Sequence, residues 1–495
     1  MTDGLPRGWQ LARVGDVASY VRGVTYQKEH ARSQAAEGCV PVLRANNIGS
    51  RLDFEDLVYV PALYVSNEQR VQHGDVVIAM SSGSKSVVGK AAIATSPPEI
   101  GFGAFCGVLR PSERVNSSYL GFYFQTKTYR NRVSELSKGV NINNLKAEHL
   151  LGQPLPLPPS SEQQRIVSRI EELFSEIDEG ERALERVQKL VERYRQSVLK
   201  AAVTGELTRE WRQRHRTAST SSLLEQFAAA RSARGQRSSP VAMADVEGLP
   251  ELPDSWIWVS LDSVAEVAGG ITVDRKRSAD GCDEVPYLRV ANVQRGYLDL
   301  DEVKTIVAPR ERIAALRLLP GDILFNEGGD IDKLGRGWLW QGELPLCIHQ
   351  NHVFRARLFV PGPWNKLISW FGNVLGKRLF MDMGKQTTNL ASLSLSKLKS
   401  VPVPLMPYEE AVEIVSRAED ALSVIDKCLA DVARQRSESS ALRQSVLKAA
   451  FCGQLVPQDP TDEPASALLA RLAAEGSETA SAPRRRGRVA VLAQP

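Results

Sequence analysis

At 495 residues the chain is too long for one ordinary core, and its 43% hydrophobic and 24% charged residues exclude the disordered, collagen-like and membrane classes. A net charge of +4 suits a polyanionic partner and an ordinary basic protein equally, so it selects neither. The six cysteines are scattered without a C-x-x-C pair, which argues against a disulfide scaffold or zinc ribbon and for a reducing cytosol.

In chain order, Met1 to Trp9 carries no basic-then-apolar signal, and no apolar run approaches the ~20 residues of a membrane helix, so a soluble, cytoplasmic protein is expected. A first lobe opens on Leu5, Pro6 and Trp9. It contains Gly74 and Asp75 before the strand-like run 76–79, and it closes on a proline-rich hinge, 154–159. Proline there ends a strand and cannot enter a helix interior. Ser160, Ser161 and Glu162 then offer a helix start. Ile166, Ile170, Leu173, Ile177, Leu184, Val187, Val191, Tyr194, Val198 and Ala201 follow in steps of four and three with one gap at Gly180, a heptad seam that predicts a coiled coil. Such a helix over 161–202 spans about 60 Å at 1.5 Å per residue. A merely amphipathic helix lying on its own lobe is the alternative. A short apolar echo at 222–227 and a linker over 233–246 follow.

The pattern then repeats. Leu252, Pro253 and Trp256 open a second lobe, Gly321 precedes the run 322–325 that begins with Asp322, another strand-like run covers 352–357, and a second hinge covers 402–407. The segment Arg195 to Ala202 recurs letter for letter as Arg443 to Ala450, 248 positions on, and 166–169 matches 414–417 at the same offset. In the lobes the offset drifts between 245 and 247. Constant helices beside divergent lobes point to one shared task and two different ones. The second seam keeps Ile414, Ile425, Val432, Leu442 and Val446 but sets Gln435 and Ser439 at middle positions, where buried polar groups would fix register. Another echo covers 466–471, and 483–488 reads as a disordered basic tail. The resulting organisation is 1–158, first lobe; 159–215, helix; 216–250, short helix and linker; 251–406, second lobe; 407–455, helix; 456–495, short helix and tail. Each lobe reads as an α+β, strand-rich fold with many loops.

Chemistry-bearing patterns are weak. Residues 84–91 resemble a phosphate loop but lack its leading glycine and its metal-binding Ser/Thr, so a glycine-rich turn beside a strand is preferred. Cys347, His349 and His352 have no fourth ligand at a suitable spacing, and the first lobe has no equivalent, so a polar strand face is expected and no metal site. Pro97-Pro98 and Pro158-Pro159 lack the flanking residues that hold a flipped adenine. No nucleophile triad is evident, and no catalytic residue is assigned.

Three places in each lobe concentrate side chains that bond base edges and phosphates. The first is Arg44, Asn46 and Asn47, echoed by Arg289, Asn292 and Gln294. Arg suits guanine, and Asn or Gln suits adenine. The second is Ser81, Ser82, Ser84 and Lys85, opposite the segment 326–330 with Lys333 and Arg336. The third is Lys138, Asn141, Asn143 and Asn144, opposite Lys385, Gln386, Thr387, Thr388 and Asn389. Any one of these residues is accounted for by a solvated turn. Their recurrence at equivalent places is what singles out the group.

Two variable lobes that begin Leu-Pro-x-x-Trp, contain Gly-Asp-aliphatic and close on a Pro-x-Pro hinge before a repeated helix resemble the specificity subunit of type I restriction-modification enzymes. The segment 199–212, LKAAVTGELTREWR, is especially similar to that family's central region. The resemblance implies two target recognition domains separated by two long antiparallel coiled-coil helices with a pseudo-two-fold internal repeat. It implies a non-catalytic subunit that reads a bipartite, asymmetric site in double-stranded DNA. Two methyltransferase subunits and, through them, motor-nuclease subunits would dock on the helices, for which Tyr194, Arg195, Leu199, Arg443 and Leu447 are the candidate contacts. AdoMet, ATP and magnesium would belong to those partners. The second copy departs from the first after its helix, with 451–457 reading FCGQLVP where 203–208 reads VTGELT, so the two ends are expected to differ in contact strength. The competing reading is a coiled-coil scaffold that bridges protein partners without contacting DNA sequence; a self-contained nuclease or methyltransferase is a third.

Overall fold

The computed structural model describes residues 4–136, 143–216, 218–235, 248–274, 281–329, 334–376, 379–380, 385–386 and 391–481. The linker beyond Gly235 and the basic tail 483–488 therefore lie outside the described residues. The chain divides into two compact units, Met1–Leu184 with Arg434–Pro495, and Glu185–Ala433. These are not the two sequence repeats. Each unit combines one lobe and the first half of that lobe's own helix with the second half of the helix belonging to the other repeat.

In the first unit β1 (Gln10–Arg13) pairs antiparallel with β11 (Pro154–Leu157). Two of the hinge prolines, Pro154 and Pro156, therefore lie inside a strand, where the sequence placed proline at the end of one. Their missing N–H groups cost nothing here, because Tyr119 and Tyr123 donate hydroxyl hydrogen bonds of 2.7 and 2.8 Å to the carbonyls of Pro156 and Pro154 from outside the ladder. A four-stranded antiparallel sheet runs β2 (Ala18–Arg22), β9 (Cys106–Pro111), β5 (Val76–Ala79), β7 (Ala91–Ile93). A second sheet has the order β4 (Val58–Pro61), β3 (Cys39–Leu43), β8 (Gly101–Phe102), with β8 parallel to β3. All four residues of β5 are buried, since Val76 and Ile78 enter the core shared with the helices while Val77 and Ala79 enter a second core with Leu43, Ile48 and Phe102.

The second unit has the same plan. Here β12 (Ile257–Ser260) pairs with β23 (Pro402–Leu405), the four-stranded sheet runs β13 (Ala265–Ala268), β20 (Val353–Leu358), β16 (Ile323–Asn326), β18 (Gly337–Leu339), and the three-stranded sheet runs β15 (Lys304–Pro309), β14 (Cys282–Leu288), β19 (Ile348–His349). The Gly-Asp motif is explained in both lobes. Gly74 and Gly321 take left-handed backbone (φ 83° and 94°), and the buried Asp75 and Asp322 each accept two hydrogen bonds, of 2.7–2.8 Å, from the guanidinium of Arg110 on β9 or Arg357 on β20. Burial forbids an isolated carboxylate, so the paired strand supplies the counter-charge.

The long helices cover Ser160–Val203 and Tyr408–Phe451. Within the first unit, Ile166 and Ile170 share a core with Val446, Leu447 and Ala450, and Asp178 pairs with Arg443, so the two segments run antiparallel. Within the second, Val198 and Ala202 share a core with Ile414 and Ala418, and Asp426 pairs with Arg195, again antiparallel. The two ion pairs are equivalent under the 248-residue offset. The heptad seam is less complete than its spacing predicted. Ile166, Ile170, Ile177, Val198, Ile414, Ile425, Val432 and Val446 are buried, whereas Val187, Tyr194 and Leu442 are exposed. Gln435 is exposed as well and Ser439 only half-buried, so neither is the buried register device the seam implied.

The Leu-Pro-x-x-Trp motif anchors lobe to helix. Trp9 donates its indole N–H to Glu162 at 3.0 Å, and Trp256 does the same to Glu410 at 2.9 Å. The glycine after each helix closes the same corner. A Cβ at Gly453 would stand 2.2 Å from Pro6, and one at Gly205 would stand 2.6 Å from Pro253. The short echoes are also structural: Phe227 of the helix Thr220–Ala233 stacks edge-on to Trp364, and Ala465 and Leu468 of the helix Ala465–Ser481 join the core of the first unit.

Candidate nucleic-acid interface

In each lobe the polar loops converge at the end of the central strand. In the first, β6 (Ser81–Ser82) follows β5 almost directly and pairs with β10 (Asn143–Asn144), placing Ser82 opposite Asn143 and Ser81 opposite Asn144. Loops two and three thus form one ribbon. In the second, β17 (Gly328–Gly329), β22 (Ala391–Ser392) and β21 (Lys385–Gln386) form the corresponding ribbon. Ser84, Lys85 and Asn144 are exposed, and Ser84 is hydrogen-bonded to Ser86 at 2.9 Å. Lys138, Asn141, Lys333, Thr387, Thr388 and Asn389 lie outside the described residues.

The first loop must be divided. Asn47 and Asn292 are only 2% and 3% exposed. Asn47 accepts the Arg44 backbone N–H at 2.9 Å and donates to Glu55 O at 2.9 Å; Asn292 accepts the Arg289 N–H at 3.0 Å and donates to Asp299 O and Glu302 O. With every polar group spent and no surface, these two asparagines hold the loop together and do not face a base, a correction to their sequence assignment. Arg44 is partly exposed but held by Asp56 at 2.8 Å, and Arg289 stands 3.7 Å from Glu302. Asn46 is exposed. Gln294 accepts from Arg336 at 3.0 Å, so in the second lobe loop one touches loop two. Asn326 reinforces that junction, donating to Val293 O at 2.8 Å.

Sequence reading missed the turn that ties these loops together. Gly103 donates its N–H to Leu43 O at the root of loop one, Met80 and Ser81 donate theirs to Phe105 O, and Leu145 donates to Met80 O. In the second lobe Gln350 donates to Leu288 O, Glu327 to His352 O and Leu393 to Glu327 O, at 2.9, 2.9 and 2.7 Å. In the first lobe the turn is glycine, alanine and phenylalanine, which carries no polar signal, whereas its second-lobe equivalent is Gln350, Asn351 and His352. Its one sequence trace is that Phe105 and His352 are separated by the same 247 positions as Asp75 and Asp322.

His349 is fully buried with its Nδ1 2.6 Å from Val353 O, and burial pulls its pKa down to about 4, which keeps the ring neutral. Burial pushes the Cys347 thiol up to about 12. His352 by contrast is exposed, so the three residues do not share one environment. The glycine-rich segment 84–91 ends in Gly89 (φ 75°), whose missing side chain leaves room for Val133, and runs directly into β7. A cleft of about 1030 Å³ in the first unit is lined by several charges that pair with one another, Arg51 with Asp178 at 2.9 Å and Arg443 with Asp178 and Glu181.

The candidate docking residues separate as well. Leu447 is 1% exposed and belongs to the core of the first unit, which removes it from any open surface. Leu199 packs against the core of the second, and Arg195 and Arg443 are engaged by Asp426 and by Asp178 with Glu181. Tyr194, at 59% exposure, is the one that presents a free apolar face.

The architecture defines a two-lobed protein of repeated α+β lobes, each packed on antiparallel segments of two long helices. The family described as Type I restriction modification DNA specificity domain matches residues 6–186. The chain is 31% identical over 482 residues to the type I restriction enzyme EcoKI specificity subunit of Escherichia coli (strain K12), covering 95% of this chain and 96% of that one. It is 30% identical, with the same shares covered, to the type I restriction enzyme StySPI specificity subunit of Salmonella potsdam. A solved chain from work on complex assembly and conformational transition of the type I R-M system superposes with a TM-score of 0.60 at 18% identity, covering 91% of this chain and 99% of that one. The chain belongs to the specificity subunits of type I restriction enzymes, and it is not itself the catalytic subunit. No helix of the described residues is long and apolar enough to cross a membrane.

Proposed function

We propose that each lobe reads one half of a split, asymmetric site in double-stranded DNA through its cluster of three loops, and that the long helices set the spacing of the two halves. One observation carries the reading. In both lobes the loops hang on the same set of backbone hydrogen bonds, whereas, beyond the arginine both share at Arg44 and Arg289, the residues in their sequences differ: Ser81, Ser82, Ser84 and Asn144 in the first, Gln294, Arg336, Gln386 and Thr387 in the second. A constant scaffold with different donors and acceptors is what two readers of unlike sequences require. Two copies of a methyltransferase subunit would dock on the helices near Tyr194 and its repeat equivalent, and would bring the motor-nuclease subunits. AdoMet, ATP and magnesium would then be bound by those partners, in the cytoplasm where the DNA is.

The test is a genome-wide methylation map with the gene present, deleted, and carrying residues 1–158 from a relative. One half of the methylated site is expected to change in the chimaera while the other half persists. A map indifferent to the exchange would favour a protein-bridging scaffold and sink the assignment.

A further inference from the structure

We propose that the residue at the tip of the missed turn, Phe105 in the first lobe and His352 in the second, is a specificity-determining contact whose flat ring packs against a base pair of that lobe's half-site. The inference rests on the DNA reading above and deepens it by naming one residue in each lobe outside the three polar loops.

Phe105 is 66% exposed although Cys106 beside it is fully buried. Scattered exposed apolar residues are common, so exposure alone decides nothing. The decisive observation is the second lobe. His352 occupies the same turn, immediately before β20 as Phe105 is immediately before β9, and its carbonyl accepts from Glu327 N–H as that of Phe105 accepts from Met80 N–H. Its side chain is 55% exposed. The lobes have diverged at most positions, yet both raise a ring at the point where the three loops are tied together.

The turn is rigid in both lobes. A Cβ at Gly23 would stand 2.1 Å from Gly103 O, and one at Gly270 would stand 2.0 Å from His349 O, so a neighbouring strand end clamps each turn at backbone contact. A ring held on a fixed turn loses little freedom when it meets a ligand, which favours contact energy over ordering cost. The two rings differ in chemistry. Phe105 has no hydrogen-bonding atom and can only pack, against a thymine methyl or a base face. His352 has Nδ1 2.6 Å from a carboxylate oxygen of Glu327, which leaves Nε2, 3.5 Å from Asn351 Nδ2, as the ring atom able to meet a polar base edge. The pair therefore suits two different half-sites.

The experiment uses the full chain assembled with its methyltransferase subunit and a duplex carrying the mapped site, competed by duplexes that each change one base pair. Phe105→Ala is expected to weaken binding to the target about tenfold, the equivalent of one good base contact. It should also flatten discrimination at one or two adjacent pairs of a single half-site. His352→Ala should do the same in the other half-site, and Phe105→Tyr, which keeps the ring, should retain discrimination. Removing an exposed side chain costs little stability, so unchanged thermal unfolding serves as the control. Alanine variants that rank all the duplexes as the unmodified complex does would overturn the ring contact alone. An unmodified complex that binds target and scrambled duplexes equally would overturn the DNA reading itself.

Discussion

The two Trp–Glu anchors are built from one motif and completed in two ways. In the second unit the fully buried Glu410 receives the indole of Trp256, the hydroxyl of Thr208 at 2.8 Å and the guanidinium of Arg212, which also lies over the Trp256 ring. In the first unit Glu162 receives Trp9 on one oxygen, and its buried Oε1 has no partner. The departure after the second helix explains this: Val456 stands where the first copy has Thr208, and Pro460 where it has Arg212. Arg165 turns instead to Asp462 at 2.6 Å. Burial raises the Glu162 pKa from its usual value, with Trp9 and Arg165 pulling the other way but less strongly. One corner is thus a satisfied ion pair, and the other is a carboxylate whose ionisation works against burial.

The largest effect is expected from Arg212→Ala, which leaves Glu410 buried without a counter-charge and should destabilise the second unit by about 3 kcal/mol. Amide exchange would show β12 and β23 losing protection while β1 and β11 keep theirs; equal losses in both units would contradict the assignment. Smaller is Asp322→Asn, which keeps the shape of the Gly-Asp clamp but removes the charge that Arg357 needs, at about 2 kcal/mol. The same substitution at Asp75 should transfer the effect to β5 and β9, read by the same exchange measurement.

Smallest in size, and sharpest in sign, is Glu162→Gln. A carboxyl whose folded pKa is raised holds its proton in the folded state where the unfolded chain has released it, so stability is full below the ordinary glutamate range and is lost as pH rises through the folded value. The uncharged amide of that variant would accept from Trp9 without the penalty, and the variant should match or exceed the parent by up to about 1 kcal/mol above this window. Unfolding followed by near-UV signals from pH 4 to 7 checks it. A parent whose first unit gains stability over that rise would refute the sign.

Identity at a fixed offset exposed the repeat, and local patterning exposed both long helices and the central strands, because helix and strand patterns depend on residues close in sequence. The polar loops were legible as a group, yet their members could not be sorted. Asn46 and Asn47 are adjacent and chemically identical, but one is exposed and the other spends its amide on Arg44 and Glu55. Leu447 and Leu442 lie on one helix, and burial separates them. Phe105 was invisible because an apolar residue after glycine and alanine reads as core.

The duplication, the helix starts and the motifs at each corner are written in the amino-acid order, since identical letters at a constant offset must meet identical local demands. Three-dimensional packing makes the Leu-Pro-x-x-Trp corner of one repeat close on the glycine of the other, Pro6 on Gly453 and Pro253 on Gly205. That choice rests on antiparallel helix segments and on contacts as distant in sequence as Pro6 with Gly453, which no local pattern encodes. The same physics sets the fate of the two glutamates: which partners surround a buried charge is a property of packing, and it makes one copy of a shared motif neutral-seeking and the other ionic.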